Sequence, residues 1–236
     1  MSIEARGRAV KPRLILHARE GYDRWAQVYD TNRNPLTALD DAVFGRIFRF
    51  PAEGREAIDL GCGTGRVTAK LLRLGARVTA VDFSEKMMDL ARVKFSPGQV
   101  EFVTADLTKK LPFPKGRFDL ATACLVLEHI RDKRGFLSEV YRILMPGGIL
   151  YLSEMHPAMA LQGKTANFTD PRTGRDIRPR SHVRSISDLA MAAQGAGFDI
   201  LYMREYPGRK GMLKRYPKVA RYVGWPMLAV MGLRKK

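Results

Sequence analysis

Short apolar runs alternate along the chain with segments whose apolar residues recur every three or four positions, which predicts strands interleaved with helices. The runs 56–60, 77–82, 100–105, 118–124, 149–155 and 199–205 read as strands. Leu36, Leu39, Val43, Phe44, Ile47 and Phe48 keep helical spacing behind Pro35, so 36–49 is expected to be an amphipathic helix packed on the sheet. Further helices are predicted over 65–74, 85–95 and 133–144, with another opening at Ser187-Asp188 and closing near Gly195. Ser84 precedes Glu85 as an N-cap, and Pro146-Gly147-Gly148 closes a helix ahead of a strand. This βαβ alternation defines an α/β class with a doubly wound, mostly parallel sheet and helices on both faces. Residues 156–184 break the rhythm with His156-Pro157, several glycines and an arginine-rich stretch without periodicity, as functional lids often do.

The stretch Ala57-Ile58-Asp59-Leu60-Gly61-Cys62-Gly63-Thr64-Gly65-Arg66-Val67 carries an apolar strand into a glycine-spaced turn and then into helix-forming sequence. Glycines there let a ligand approach the backbone and permit a sharp reversal at positive φ, while the following helix aims free N–H groups at an anion or carboxylate. The spacing is G-x-G-x-G. A dinucleotide fingerprint needs a small residue where bulky Arg66 stands, so that ligand class is excluded. Arg77–Asp82 reads as a second strand ending in a carboxylate about twenty residues on, placed to grip a ribose diol. A third strand, Val100–Ala105, ends in Asp106.

With these glycines, Asp82 and Asp106 closing three successive strands, the chain resembles the class I S-adenosylmethionine-dependent methyltransferases. The resemblance continues through Arg117-Phe118-Asp119-Leu120-Ala121, Leu125-Val126-Leu127-Glu128-His129-Ile130 and Leu144-Met145-Pro146-Gly147-Gly148-Ile149-Leu150. It is closest to the type 11 branch, which includes quinone-biosynthesis methyltransferases and often opens on a Y-D-x-x-A-x-x-Y-D helix. Here that helix is Tyr22-Asp23-Arg24-Trp25-Ala26-Gln27-Val28-Tyr29-Asp30. The resemblance implies a Rossmann-like, seven-stranded sheet whose antiparallel last strand, Pro226–Leu233, inserts between the fifth and sixth. It also implies S-adenosylmethionine as cofactor, with Gly61, Cys62, Gly63 and Gly65 wrapping its methionine part and Asp82 accepting both ribose hydroxyls. Asp106, with Leu107 beside it, would accept from the adenine amino group; Phe83 and Met87 would sandwich the ring, and the Leu125 backbone would face the cofactor's amino group. Asp59 would bond the turn's amides or reach the cofactor through water. Tyr22 and Tyr29, with Trp25 between them, would form an aromatic face that closes over the methionine end.

At 236 residues the chain buries one substantial core, so a single domain over 1–236 is expected, with a helical cap in 1–50 and basic insertions at 156–184 and 206–224 forming a substrate lid. Cys62 and Cys124 end predicted strands, and no apolar signal segment follows the N-terminal arginines, so a reduced cytoplasm is the expected home. No apolar run approaches the roughly 18 residues that cross a bilayer. No metal site is predicted. The formal net charge of +17 asks for an anionic partner, and the charge is clustered: Arg6, Arg8, Lys11 and Arg13; Arg172, Arg175, Arg178, Arg180 and Arg184; and Arg209 through Arg221.

Methyl transfer from a sulfonium is an in-line displacement that proximity alone can advance by up to about 7–11 kcal/mol. A base adds about 10²–10⁴-fold where the acceptor must lose a proton. His129, His156 and His182 are the candidates, with Glu154 placed to orient His156; a structural role is the competing reading for each. The expected reaction is methylation of O, N or C in a small acceptor, with insertion arginines clamping an anionic group. An RNA methyltransferase is the alternative, although Cys124-Leu125-Val126-Leu127 stands where an N/D-P-P-Y/F segment would mark base-modifying enzymes. A non-catalytic cofactor-binding subunit is a third reading. Met212, Leu213, Tyr216, Val219 and Tyr222, alternating with Lys214, Arg215, Lys218 and Arg221, suggest an interfacial membrane contact for a lipophilic acceptor.

Overall fold

The computed structural model describes residues 13–48, 51–183 and 185–236. Its strands are β1 (Arg13–Leu16), β2 (Glu56–Leu60), β3 (Arg77–Asp82), β4 (Val100–Thr104), β5 (Phe118–Cys124), β6 (Leu144–Met155), β7 (Phe168–Thr169), β8 (Asp176–Pro179), β9 (Phe198–Pro207) and β10 (Pro226–Lys235). The helices are α1 (Ala18–Trp25), α2 (Pro35–Ile47), α3 (Thr68–Arg73), α4 (Glu85–Arg92), α5 (Lys133–Ile143), α6 (Pro157–Leu161) and α7 (Ile186–Gly195). Seven strands form the main sheet in the order β4-β3-β2-β5-β6-β10-β9. The pairs among β4, β3, β2, β5 and β6 are parallel, and β10 runs antiparallel between β6 and β9, as expected for the last strand.

The sheet is covered on both sides because its central strands are apolar on both faces. Ile58, Leu150 and Leu152 face one core with Leu137, Val140, Ile143 and Leu189 from α5 and α7. Ala57 and Tyr151 face the other with Leu39, Val43, Phe44 and Leu71 from α2 and α3. Leu39, Val43 and Phe44 are almost wholly buried, and each such side chain contributes roughly 1.5–3 kcal/mol. The caps follow the sequence: Asn34 Oδ1 accepts from Leu36 N–H at 2.8 Å ahead of Pro35, and Ser84 Oγ accepts from Met87 N–H at 3.2 Å. Helix α7 opens one residue before the expected Ser187, because Ser185 and Asp188 form a reciprocal capping box. Helix α3 opens three residues later than expected, since the turn extends through Val67.

The largest departure is a second sheet. The segment at 156–184, expected to be irregular, contains α6, β7 and β8, and β1 pairs in parallel with β8. The cap in 1–50 is therefore not wholly helical. Strands of two to four residues, with Leu14-Ile15-Leu16 unbroken in β1 and Phe168 and Ile177 standing alone in β7 and β8, give no period-2 signal, and only long-range pairing defines them. Arg6, Arg8, Lys11 and Arg184 lie outside the described residues.

The expected amphipathic segment at 206–224 turns inward. It forms two 3₁₀ turns, Lys210–Met212 and Pro217–Tyr222; Val219 and Tyr222 are buried, and Met212, Leu213 and Tyr216 pack on the α2-side core. Its apolar stripe is satisfied by the protein itself, which corrects the reading of that stripe as a membrane-facing surface. No helix among the described residues is long and apolar enough to cross a membrane.

Candidate active site

The strand order turns back between β2 and β5, and the carboxyl ends of the strands there open a cleft of about 650 Å³. Gly61 and Gly63 form its floor, and the ends of β3, β4 and β5 supply Asp82-Phe83, Asp106-Leu107-Thr108 and Cys124-Leu125-Val126. Tyr22, Tyr29, Met87, His129 and Ile130 complete the lining.

The three glycines do different work. Gly63 (φ +54°) has open space where a Cβ would stand, so its backbone is bare toward the cleft. Gly65 (φ +86°) does not line the cleft; a Cβ there would lie 2.8 Å from Phe95 Cε2 and 3.3 Å from Ala91 Cβ. Gly61 (φ +75°) combines a place in the floor with a close approach of Val126. Cys62 is buried with Ala80 and Met88 and does not line the cleft.

Asp82 Oδ2 accepts from Gly63 N–H and Oδ1 from Ser84 N–H, both at 2.9 Å, so one carboxylate braces the turn and the start of α4. Each oxygen keeps a lone pair for a further donor. Burial pushes its pKa up against the pull of those backbone donors. Asp106 Oδ1 accepts from the Thr108 backbone at 2.9 Å and hydroxyl at 2.7 Å; burial works to raise its pKa, but these bonds outweigh it and hold the carboxyl low. Asp59 is elsewhere engaged. Its oxygens accept from the Thr68 and Thr122 hydroxyls at 2.7 and 2.8 Å, tying β2 to α3 and β5, and it bonds neither the glycines' amides nor the cleft. Leu125 is the one non-glycine residue with positive φ (+58°) among those described, and its N–H donates to Ser153 O at 2.8 Å. Such a backbone is costly and marks functional positions.

Both halves of the Tyr-Asp repeat are used, and the sequence did not show the aspartates' part. Asp23 accepts from the Ser84 hydroxyl at 2.6 Å, and Asp30 from the Thr64 hydroxyl at 2.7 Å and Lys94 at 2.6 Å, which pins the N-terminal segment over the glycine turn. Tyr22 and Tyr29 then face the cleft with ring centroids 6.3 Å apart. Burial raises both phenols' pKa values, that of Tyr22 strongly. Trp25 does not line the cleft but backs both tyrosines, its ring 5.6 Å from that of Tyr22 and 5.3 Å from that of Tyr29, and it stacks on Phe168 of the insertion at 5.0 Å. Arg66, which ruled out the dinucleotide fingerprint, reaches Asp40 at 2.7 Å and Asp41 at 2.6 Å and so fastens α2 to the turn.

The histidines separate clearly. His129 lines the cleft; its Nδ1 lies 2.9 Å from Arg180 O and its Nε2 2.9 Å from Tyr22 Oη. His156 does not line the cleft. It caps α6, its Nδ1 accepting from Ala158 N–H at 3.1 Å, and its Nε2 faces Glu205 at 3.3 Å. Glu154 does not orient it, because that carboxylate pairs with buried Lys133 at 2.9 Å. Burial raises the Glu154 pKa, although Lys133 works against the rise. His182 also lies outside the lining and donates its backbone N–H to Glu128 O. Glu128 was not anticipated: its side chain accepts from the Ser181 hydroxyl at 3.1 Å and Ala166 N–H at 3.4 Å, so it hooks the insertion onto the loop after β5. Thr108, Val126 and Ile130 are also lining residues that the sequence did not single out.

Among the described residues no Lys or Arg lines the cleft, and no group of acidic, Cys and His side chains could hold a metal ion. None of residues 206–224 reaches the lining.

A bare glycine floor, carboxylates at the ends of β3 and β4 and apolar walls of Phe83, Met87 and Leu107 suit a nucleoside joined to an amino acid. On this sheet order, such a cleft defines the Rossmann-like S-adenosylmethionine-dependent methyltransferases. Comparison with known proteins agrees. A family model described as "Methyltransferase domain" matches residues 58–152. An uncharacterized methyltransferase of Emericella nidulans is 32% identical, the match covering 77% of this chain and 76% of that one. A demethylmenaquinone methyltransferase of Tropheryma whipplei is 35% identical over 59% of each chain, so this chain spans little more than half its length. The crystal structure of an S-adenosylmethionine-dependent methyltransferase from Mesorhizobium loti superposes with a TM-score of 0.68 at 27% identity, covering 80% of this chain and 95% of that one. The chain belongs to the S-adenosylmethionine-dependent methyltransferase family, and S-adenosylmethionine is its cofactor.

Proposed function

We propose that the enzyme methylates a small, lipophilic acceptor inside this cleft. One observation carries the reading: beyond the carboxylates, Phe83, Met87 and Leu107 that suit the cofactor, the lining offers Tyr22, Tyr29, Val126, His129 and Ile130, with no Lys or Arg among the described residues. No Lys or Arg in the lining stands ready to pair with an anionic acceptor. Arg178 of the insertion is already held by Asp176 at 3.4 Å, and Arg180 offers the site its carbonyl. A relative that carries the name demethylmenaquinone methyltransferase supports an acceptor of this kind.

Within this reading Gly61 and Gly63 lie under the cofactor's methionine part, Asp82 holds the ribose hydroxyls, and Asp106 with Leu107 meets the adenine between Phe83 and Met87. Leu125 presents backbone beside the amino group. Bound S-adenosylmethionine supplies a methyl group on a sulfonium, ready for in-line displacement. The chain's contribution is positioning and water exclusion: Tyr22 and Tyr29 close the cofactor's end of the cleft, and the insertion holds them there through Arg180 O on His129 and Phe168 on Trp25.

The test is tritium transfer from labelled S-adenosylmethionine into extract fractions of small metabolites, lipids and total RNA, at low and physiological salt. Label is expected in a lipid or apolar metabolite fraction at both salts. Label confined to RNA, and lost as salt rises, would overturn the reading in favour of a nucleic-acid substrate.

A further inference from the structure

Three elements meet at His129, and together they fix where its proton is. Arg180 O, just beyond β8, can only accept, so the Nδ1 that lies 2.9 Å away carries the hydrogen. Nε2 is then a lone pair. Tyr22 Oη, 2.9 Å away on α1, donates its hydrogen to that lone pair and turns its own oxygen lone pairs toward the cleft that both side chains line. The rings meet edge to face with centroids 5.1 Å apart, which leaves this hydrogen bond one orientation.

We infer that Tyr22 and His129 form a proton relay for the methyl acceptor, and hence that the acceptor is one whose nucleophilic atom must lose a proton, such as a phenolic or enolic hydroxyl. The inference rests on the small-molecule reading above. In the step, the acceptor's O–H bond breaks and its proton goes to Tyr22 Oη while the original Tyr22 proton goes to His129 Nε2. The acceptor's oxygen forms a bond to the methyl carbon, and the carbon–sulfur bond breaks with its electron pair left on sulfur. Sulfonium, neutral hydroxyl and neutral imidazole become thioether, methyl ether and imidazolium, so charge balances.

The surroundings suit this division of labour. Tyr22 is buried beside Tyr29, Glu128 and Asp82, all of which disfavour a free phenolate, so the proton has to pass on rather than leave a charged tyrosine behind. The imidazolium that results is better placed. Glu128 Oε1 lies 3.8 Å from Nε2, and Arg180 O accepts from Nδ1–H in both protonation states. The backbone N–H of His182 donates to Glu128 O and so holds that loop against the insertion. Tyr22 is the residue that meets the acceptor; His129 acts through it and also ties α1 to the insertion.

The test has two arms on the full-length protein. With ¹⁵N-histidine, a spectrum of only four residues, His129 should show Nδ1 protonated and Nε2 unprotonated at neutral pH, and Tyr22→Phe should shift Nε2. The opposite tautomer, or an Nε2 signal indifferent to Tyr22→Phe, overturns the relay whatever the acceptor is. In the second arm, tritium transfer from S-adenosylmethionine into the metabolite and lipid fractions is compared for wild type, Tyr22→Phe, His129→Gln and the double variant. A glutamine can still accept the tyrosine's hydrogen bond but cannot take up the proton. Each single variant should lose about 10²–10⁴-fold in turnover, with no further loss in the double, while S-adenosylhomocysteine affinity in His129→Gln stays within a few fold of wild type. Full turnover in His129→Gln overturns the relay and leaves the small-molecule reading standing. Absence of label from every small-molecule fraction overturns both.

Discussion

Gly63 and Gly65 are two residues apart in one motif, yet alanine should damage the protein in different ways at the two positions. At Gly65 the backbone has φ +86°, where an L side chain costs about 1–2 kcal/mol. The new methyl would also stand 2.8 Å from Phe95 Cε2, 3.0 Å from Cζ and 3.3 Å from Ala91 Cβ, an overpacking that typically costs about 1–3 kcal/mol. Together these give about 2–5 kcal/mol, which in a chain of this size lowers the melting temperature by about 4–20 °C. At Gly63 (φ +54°) the strain is similar but no atom lies within 4 Å, so the melting temperature should fall by only a few degrees. The methyl there intrudes on the cleft floor, and an intrusion worth about 1–3 kcal/mol weakens cofactor binding by about 5- to 150-fold. Thermal melts without ligand and calorimetric titration with S-adenosylhomocysteine separate the two. Gly65→Ala melting within a degree or two of wild type would refute the packing argument. So would Gly63→Ala that binds normally yet loses the greater stability.

Lys133→Met leaves the Glu154 carboxylate buried without its cation, and such a break costs about 3–5 kcal/mol when the carboxylate is charged. Glu154's folded pKa, already raised by burial, would rise further, so the stability deficit should be smallest at acid pH and grow as pH climbs through that value; equal losses in urea midpoint at pH 5 and pH 8 would contradict this. Asp82→Asn exchanges a charge-assisted acceptor for a neutral amide and should cost about 1.5–3 kcal/mol of cofactor affinity. Because burial raises Asp82's pKa, wild-type affinity should fall on acidification before the pH reaches that of a free aspartate, whereas a profile flat down to about pH 4 would exclude Asp82 as the ionised ribose acceptor. Glu128→Ala removes the acceptor for Ser181 and Ala166, and amide exchange across 164–182 should accelerate by about 5- to 30-fold, equivalent to about 1–2 kcal/mol, while β2 and β5 stay protected. Unchanged exchange in the insertion would show that its grip lies elsewhere.

Local information along the chain determined the main sheet. Each βα unit buries its own apolar run, and the glycines, Asp82 and Asp106 fall at strand ends by sequence spacing alone, which is why element order, cofactor class and most of the cleft floor were legible. Side-chain partners were not, because they depend on residues far apart in the chain. His156 and Glu154 are two residues apart, yet Glu154 in β6 meets Lys133 while His156, past the strand's end at the cap of α6, meets Glu205. Asp59 looks like part of the ligand turn until Thr122, sixty-three residues away, claims one of its oxygens. The apolar stripe of 206–224 suits a bilayer as well as a core, and only the packing of α2 and β10 beneath it chose the core. The strands of the small sheet, β1, β7 and β8, are only two to four residues long, too short to announce themselves, so its existence, and with it the Tyr22–His129–Arg180 contact beside the cleft, was decided by tertiary pairing.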